Sequence, residues 1–166
     1  MSKRSTVTSR DQPLADVTAA SGASLVGAES LTVHTRERLE VQDLTESVMS
    51  LVRRLGVREG LVNIFSMHTT CTIFINEFQQ ALVSDIKQFL DNVVDPAGAW
   101  LHNDPAHSDC DRMNADAHLR AMMLGHSLTL QVSGGEVVLG QWQRILMAEL
   151  DGPRARSLRI QILGIS

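Results

Sequence analysis

The chain has 166 residues, enough for one domain with a substantial core. Hydrophobic residues make up 43% and charged residues 20%, with a formal charge of −4, a balance that argues against a nucleic-acid surface as the main partner. No apolar run approaches the ~18 residues of a membrane span, and no apolar core follows Lys3, Arg4 and Arg10 as a secretory signal would require. The two cysteines, Cys71 and Cys110, form no CxxC pair, so the reading is a reduced, cytoplasmic protein with no membrane and no nucleic-acid partner.

Residues 1–28 are rich in Ser, Thr, Ala and Asp without a sustained period, which predicts a disordered N-terminal extension outside a domain spanning 29–166. From Ser30, SLTVHTRE alternates Leu31, Val33 and Thr35 against polar neighbours, a half-buried strand. DLTESVMSLVRRLG then sets Leu44, Val48, Leu51, Val52 and Leu55 on one helical face. Asp43 and Glu46 resemble a capping box, and Gly56 supplies the stop. EGLVNIFSMH and TCTIFINE read as two strands, or one long strand bent sharply near His68 and Thr69. ALVSDIKQFLDNVV is a second amphipathic helix.

A long polar loop follows, DPAGAWLHNDPAHSDCDRMN, and loops of that length inside a domain are often functional. NADAHLRAMMLG reads as a third helix with Asn114 as N-cap and Gly125 at its end. The last third is β: SLTLQV, EVVLG, then WQRILMAEL and SLRIQILG joined through a DGPR hairpin turn. The sum is an α+β domain, a mixed or antiparallel β-sheet core with three inserted helices.

Three histidines stand where a core residue would be odd: His68 at a strand end, His102 in the loop beside Asn103, and His118 early in the third helix. Three imidazoles plus water suit a divalent ion such as zinc, but no HExxH or HxH pair holds two of them on one element. Solvated or hydrogen-bonded histidines fit the same spacing. His34, His107 and His126 read as structural or exposed. Glu77, Asp116, Glu149 and Asp151 are the carboxylates nearest these segments, and a carboxylate can orient an imidazole and raise its basicity. Asp116 alternatively complements a helix N-terminus. Thr69, Thr70, Asn76 and Arg154 could hold an anion such as phosphate. No Walker A loop, GxGxxG or GxSxG occurs, which removes nucleotide-dependent and serine-hydrolase readings.

Taken in order, HTTCTIFINE, LHND, NADAHLRAMMLG, LGQWQ and ELDGPR resemble the YjbQ-like family, whose members are often labelled secondary thiamine-phosphate synthases. The resemblance covers Ser30 to Gly164 and implies a YjbQ-like α+β domain that forms a homotrimer around a polar cleft. It implies Glu77, His68 and Asp116 as catalytic groups and His68, His102 and His118 as ligands of a divalent metal, zinc or magnesium. Substrate contacts would come from Thr69, Thr70, Asn76, Asn103, Trp142, Gln143 and Arg154. The implied reaction joins a pyrimidine methyl diphosphate to a thiazole phosphate and releases pyrophosphate, as a side activity, since no DDxxD-like run is present to hold diphosphate-bound magnesium. The alternatives are a metal-dependent hydrolase or lyase acting on an anionic metabolite, and a non-catalytic trimer that binds a metabolite or metal. Trp100-Leu101 departs from the family pattern, in which an aromatic residue directly precedes the His-Asn pair.

One constraint accompanies this expectation. Nine strand steps of about 3.3 Å would part His68 from Glu77 by roughly 30 Å. A shared site therefore demands a bend near His68–Thr70, or Glu77 arriving from a neighbouring subunit.

Overall fold

The computed structural model describes residues 3–16 and 18–166. Met1, Ser2 and Val17, which fall within the expected extension, lie outside the described residues.

All the strand pairing is antiparallel and forms two sheets. The first contains β1 (Ser24–His34), β3 (Glu59–Ser66), β5 (Ser127–Ser133), β6 (Glu136–Val137) and β8 (Ala155–Ile165), ordered β1-β8-β3-β5-β6. The second contains β2 (Glu40–Asp43), β4 (Cys71–Asn76) and β7 (Arg144–Glu149), ordered β2-β7-β4. Among the described residues three α-helices, α1 (Thr45–Leu55), α2 (Gln80–Val93) and α3 (Ala115–Leu124), complete the α+β domain.

Strand period explains the layering. In β8, Arg156, Leu158, Ile160 and Ile162 point inward while Arg159, Gln161 and Leu163 face out, the alternation of a sheet with one buried face. Every residue of β7 is buried. Its Ile145 and Met147 join one core with β3, β8 and α1, whereas Leu146 and Ala148 join another with Val83 and Leu90 of α2 and Ala117 and Ala121 of α3. The order of layers is therefore five-stranded sheet, three-stranded sheet, then α2 and α3, with α1 packed into the core between the sheets.

Three short crossings between the sheets meet at one end: residues 35–39 from β1 to β2, residues 67–70 from β3 to β4, and residues 150–154 from β7 to β8. The HTTCTIFINE segment thus bends at His68–Thr70, as a shared site would require. The DGPR stretch is not a hairpin turn, because β7 and β8 belong to different sheets. Both stretches carry polar residues because chain leaving a sheet must satisfy its backbone groups elsewhere.

A buried ion pair ties the crossings together. Arg156 (1% exposed) donates from Nε to Glu149 Oε2 at 2.5 Å, and Glu149 is fully buried. Glu149 also accepts from the Thr35 hydroxyl at 3.1 Å and from the Asp151 amide at 2.8 Å. Arg156 Nη2 reaches the Thr70 hydroxyl at 3.0 Å and the Thr70 carbonyl at 3.3 Å. Gly152 is pressed between them. A Cβ there would meet the Glu37 carbonyl oxygen at 2.3 Å and Glu149 Cγ at 2.7 Å, so this approach admits only glycine.

Two sequence expectations change. The strand begins at Ser24 rather than at Ser30, so residues 24–28 belong to β1. Part of the preceding extension is also bonded to the body, with the Thr6 amide donating to Phe78 O at 3.2 Å and the Thr8 amide to Gln141 O at 2.8 Å. The capping box at α1 is absent: Leu44 holds the N-cap position, and Asp43 accepts instead from the Thr45 amide and from Arg144.

Arg156→Ala would strand the Glu149 carboxylate in the interior and should cost about 3–5 kcal/mol, read as a lowered urea midpoint. Replacing both partners together, Glu149→Leu with Arg156→Met, should cost less than the single change. A larger loss in the double variant would mean that the hydrogen bonds to the crossings, rather than the pair itself, dominate.

Candidate functional site

The end of the sandwich where the crossings meet carries most of the polar residues the sequence singled out. His102 lies in a 3-10 turn, Leu101–Asn103, and His118 in the first turns of α3. Asn103 brings them together. Its Oδ1 accepts from the Ala115 amide at 2.9 Å, so it caps α3 from outside while anchoring the turn that bears His102. The two rings pack edge to face with centroids 5.0 Å apart. They line a cavity of about 300 Å³ with Trp100, Leu101, Ala115 and Leu119.

Beside them is the 151–154 crossing. Asp151 accepts two hydrogen bonds from Arg112, at 2.7 and 2.9 Å, and a third from Asn114 Nδ2 at 2.8 Å. Arg154 Nη2 stands 3.4 Å from the same carboxylate. Burial would raise the Asp151 pKa, but the hydrogen bonds from Arg112 and Asn114 outweigh it and hold the carboxyl below its ordinary value. Asn114 precedes α3 directly, so this carboxylate is tied to the helix that carries His118.

His68 occupies the 67–70 crossing on the other side of Arg154. Its Nε2 accepts from the Ser157 amide at 2.8 Å, which leaves the proton of the neutral ring on Nδ1. Burial, then the nearby Arg156 and Arg154 guanidiniums, lower its pKa against the opposing pull of Glu149. Burial, then the adjacent His102, lower that of His118 against Asp151 and Asp116. Both rings are therefore neutral at pH 7. Arg112 and Arg154 pair with Asp151, and Arg156 with Glu149, three cations on two anions, which favours an anionic ligand.

Several expectations change. His68 does not fit a metal-ligand role, because Nε2 is engaged by Ser157 and Nδ1 bears the proton. It is also not grouped with His102 and His118: among the described residues no cluster of three or more His, Cys, Asp or Glu could hold an ion. Asp116 is not positioned as a catalytic acid or base. It is fully buried against Arg38 at 2.9 Å and Arg120 at 3.4 Å, and it acts on His118 only through its field. Thr70 is buried beneath Arg156, and Asn103 is the helix cap just described. Thr70 is therefore not free for substrate, and Asn103 has its Oδ1 committed to the helix. Thr69 is exposed and, with His68 and His126, borders a separate depression.

Glu77 lies elsewhere. Cys71 pairs with Glu149 and Asn76 with Arg144, so β4 and β7 carry His68 and Glu77 to opposite ends of one ladder, about 17 Å of strand apart. Asn76, Trp142 and Gln143 share the Glu77 end. Asn76 accepts from the Glu77 amide and Gln143 from the Gly140 amide, while Trp142 and Glu77 border a cavity under the N-terminal segment.

Sequence reasoning passed over Arg112 and Arg156. Arg156 left a readable signal: it sits at an inward position of the same period as Leu158, Ile160 and Ile162, where a charge requires a buried partner. Arg112, in an irregular loop, left none.

An α+β sandwich whose crossings gather an imidazole, guanidiniums and a buried Arg–Glu ion pair beside two further histidines is the class this geometry defines. The chain belongs to the UPF0047 protein YjbQ-like family, which matches residues 29–165. It is 41% identical over 139 residues to a UPF0047 protein of Methanothermobacter thermautotrophicus, covering 84% of this chain and 93% of that one. It is 32% identical over 136 residues to the UPF0047 protein YugU of Bacillus subtilis, covering 82% and 98%. Among solved structures it resembles a YbjQ-like protein of unknown function from Sulfolobus solfataricus, with a TM-score of 0.80, 34% identity and coverage of 86% and 99%. A hypothetical protein of Aeropyrum pernix gives a TM-score of 0.76 at 38% identity, covering 83% and 98%. Among the described residues no helix is long and apolar enough to cross a membrane.

The lowered imidazole values set a pH dependence. Between the folded values of His68 and His118 and the ordinary value near 6.5, the unfolded chain binds more protons than the folded one. Stability should thus fall as pH drops through 6.5 and level off below the folded values. Proton NMR of the imidazoles should place both midpoints under 6.5. A midpoint above it for His118 would show that Asp151 and Asp116 outweigh burial.

Proposed function

We propose that this protein is an enzyme acting on a small phosphorylated or otherwise anionic metabolite, bound at the crossing that contains Arg154. The observation that carries the reading is the His102–His118 ring pair, with the pKa of His118 lowered by burial, beside an excess of guanidinium charge. A neutral imidazole accepts a proton at pH 7, and Arg154, about one-third exposed and held only at 3.4 Å by Asp151, presents forked donors to phosphate oxygens. His68, with Nδ1–H as its donor, adds a hydrogen bond on the other side. Transfer of the thiamine-phosphate synthase kind, with pyrophosphate as leaving group, fits as a side activity of such an anion site. Two free cysteines suit a reducing cytoplasm.

The second reading is a metal-dependent hydrolase or lyase, or a trimer that only binds metal or metabolite. The rings of His102 and His118 supply two nitrogen donors for a zinc-like ion. Within one chain these two donors fall short of the three protein ligands usual for catalytic zinc, so a neighbouring copy would complete the set. In a homotrimer such a copy is available, and it could also deliver Glu77 as general base. Bound magnesium with diphosphate would need a carboxylate cluster that the described residues do not form.

His118→Ala should lower turnover of the responsive metabolite about 10²–10⁴-fold, and Arg154→Gln should raise KM for a phosphorylated substrate with less effect on kcat. Both variants should keep the wild-type circular dichroism. A panel of phosphorylated metabolites on which wild type and His118→Ala react alike would overturn the acid–base reading. Stoichiometric zinc in purified protein, lost in His102→Ala, would instead favour the metal reading, and sedimentation reads the trimer.

A further inference from the structure

We propose that the cavity between Glu77 and Trp142 is a binding site for a guanidinium- or ammonium-bearing ligand, and that residues 3–12 form a displaceable strap across it. The cavity measures about 330 Å³ and is lined by Arg4, Ser5, Val7, Glu77 and Trp142. A carboxylate beside a half-exposed indole attracts a cation twice over, by charge-assisted hydrogen bonding and through the ring face. The nearby Arg144 does not cancel this preference. Its guanidinium is engaged by Asp43 at 2.8 Å and by the Thr8 hydroxyl at 3.1 Å.

The chain itself places a basic residue here, since Arg4 borders the cavity and the neighbouring Ser5 hydroxyl donates to Glu77. The strap is anchored on several loops at once. The Thr6 and Thr8 amides bond Phe78 O and Gln141 O, the Thr8 hydroxyl donates to Gln143 O at 2.8 Å, and Arg10 Nη2 donates to Ser133 O at 2.7 Å. Gln79 Nε2 adds a bond to Lys3 O at 3.1 Å.

What the strap lacks is buried apolar surface. Thr8 alone is buried among residues 3–16, while Val7 and Leu14 are about half exposed. A segment held by hydrogen bonds, some of them part-buried, but with so little apolar burial opens at lower cost than the packed core. It also lies outside residues 29–165, the stretch the family shares, so it is an addition to the domain rather than part of its core. The Ser5 hydroxyl holds the Glu77 oxygen that a cationic ligand would need, so strap and ligand compete for one carboxylate and full binding waits for the open fraction.

Agmatine, a small guanidinium with an amine, is the probe. In the full-length wild-type chain it should speed amide hydrogen exchange at Thr6 and Thr8 and perturb the Trp142 indole resonance. Ser5→Ala combined with Thr8→Ala, which loosens the strap, should tighten agmatine binding by about tenfold. Glu77→Gln should abolish it. Equal affinity with the strap intact and loosened overturns the gating, and binding that survives Glu77→Gln overturns the site. Should the double variant fold poorly, the exchange measurement on wild type decides the gating alone. His118→Ala should bind agmatine as wild type does, which separates failure here from failure of the catalytic reading.

Discussion

The three crossings at the candidate-site end of this molecule are arranged around one buried ion pair. Glu149 closes β7 and Arg156 opens β8, and the chain between them must pass from one sheet to the other. Two charges removed from water are costly unless every lone pair and proton finds a partner. Here the partners are drawn from all three crossings: Thr35 from the first, Thr70 from the second and the Asp151 amide from the third. Satisfying the pair therefore fixes where the crossings lie. Arg154 and Asp151 take their places as a by-product, and His68 is set by the adjoining Ser157 amide.

The helical layer contributes the other half. Its hold on the site is polar as well as apolar, because Asn114 at the entrance of α3 donates to Asp151 and Asn103 closes the helix start. Asp116, buried between Arg38 and Arg120, pins the same turn to the region after β1. His118 is thus carried on a helix whose first turn is fastened on three sides. Such fastening suits a residue that must keep its geometry while a ligand comes and goes.

How much of this was legible in the sequence depends on the kind of order involved. The periods of 2 and 3.6 located β1, α1 and α2, and apolar runs located β7 and β8, since burial dictates those patterns directly. Ordered motifs pointed to the family, and through it to His102 and His118 as neighbours. The sheet to which each strand belongs was not legible: a DGPR stretch serves a hairpin and a crossing equally well, and only the pairing of β7 with β2 and β4 tells them apart. Thr70 and Asn103 looked like ligand contacts, and Asp116 like a catalytic group, for a related reason. Small polar residues near a site and small polar residues that build its walls have the same composition, and only their burial and hydrogen-bond partners separate them.

The position of β8 bears on how the chain reaches this state. It is the last strand in sequence, yet it lies between β1 and β3, pairing along its length with both. Until it arrives, β1 has no neighbour in its sheet, and β3 presents an open edge to solvent. Contacts of such long sequence separation form slowly because the loop must close before any pairing rewards it. A chain still being synthesised from its N-terminus holds the helices and most strands of this domain but not its middle. The site, whose Asp151, Arg154 and Arg156 come from the same late stretch, is completed only with the final insertion.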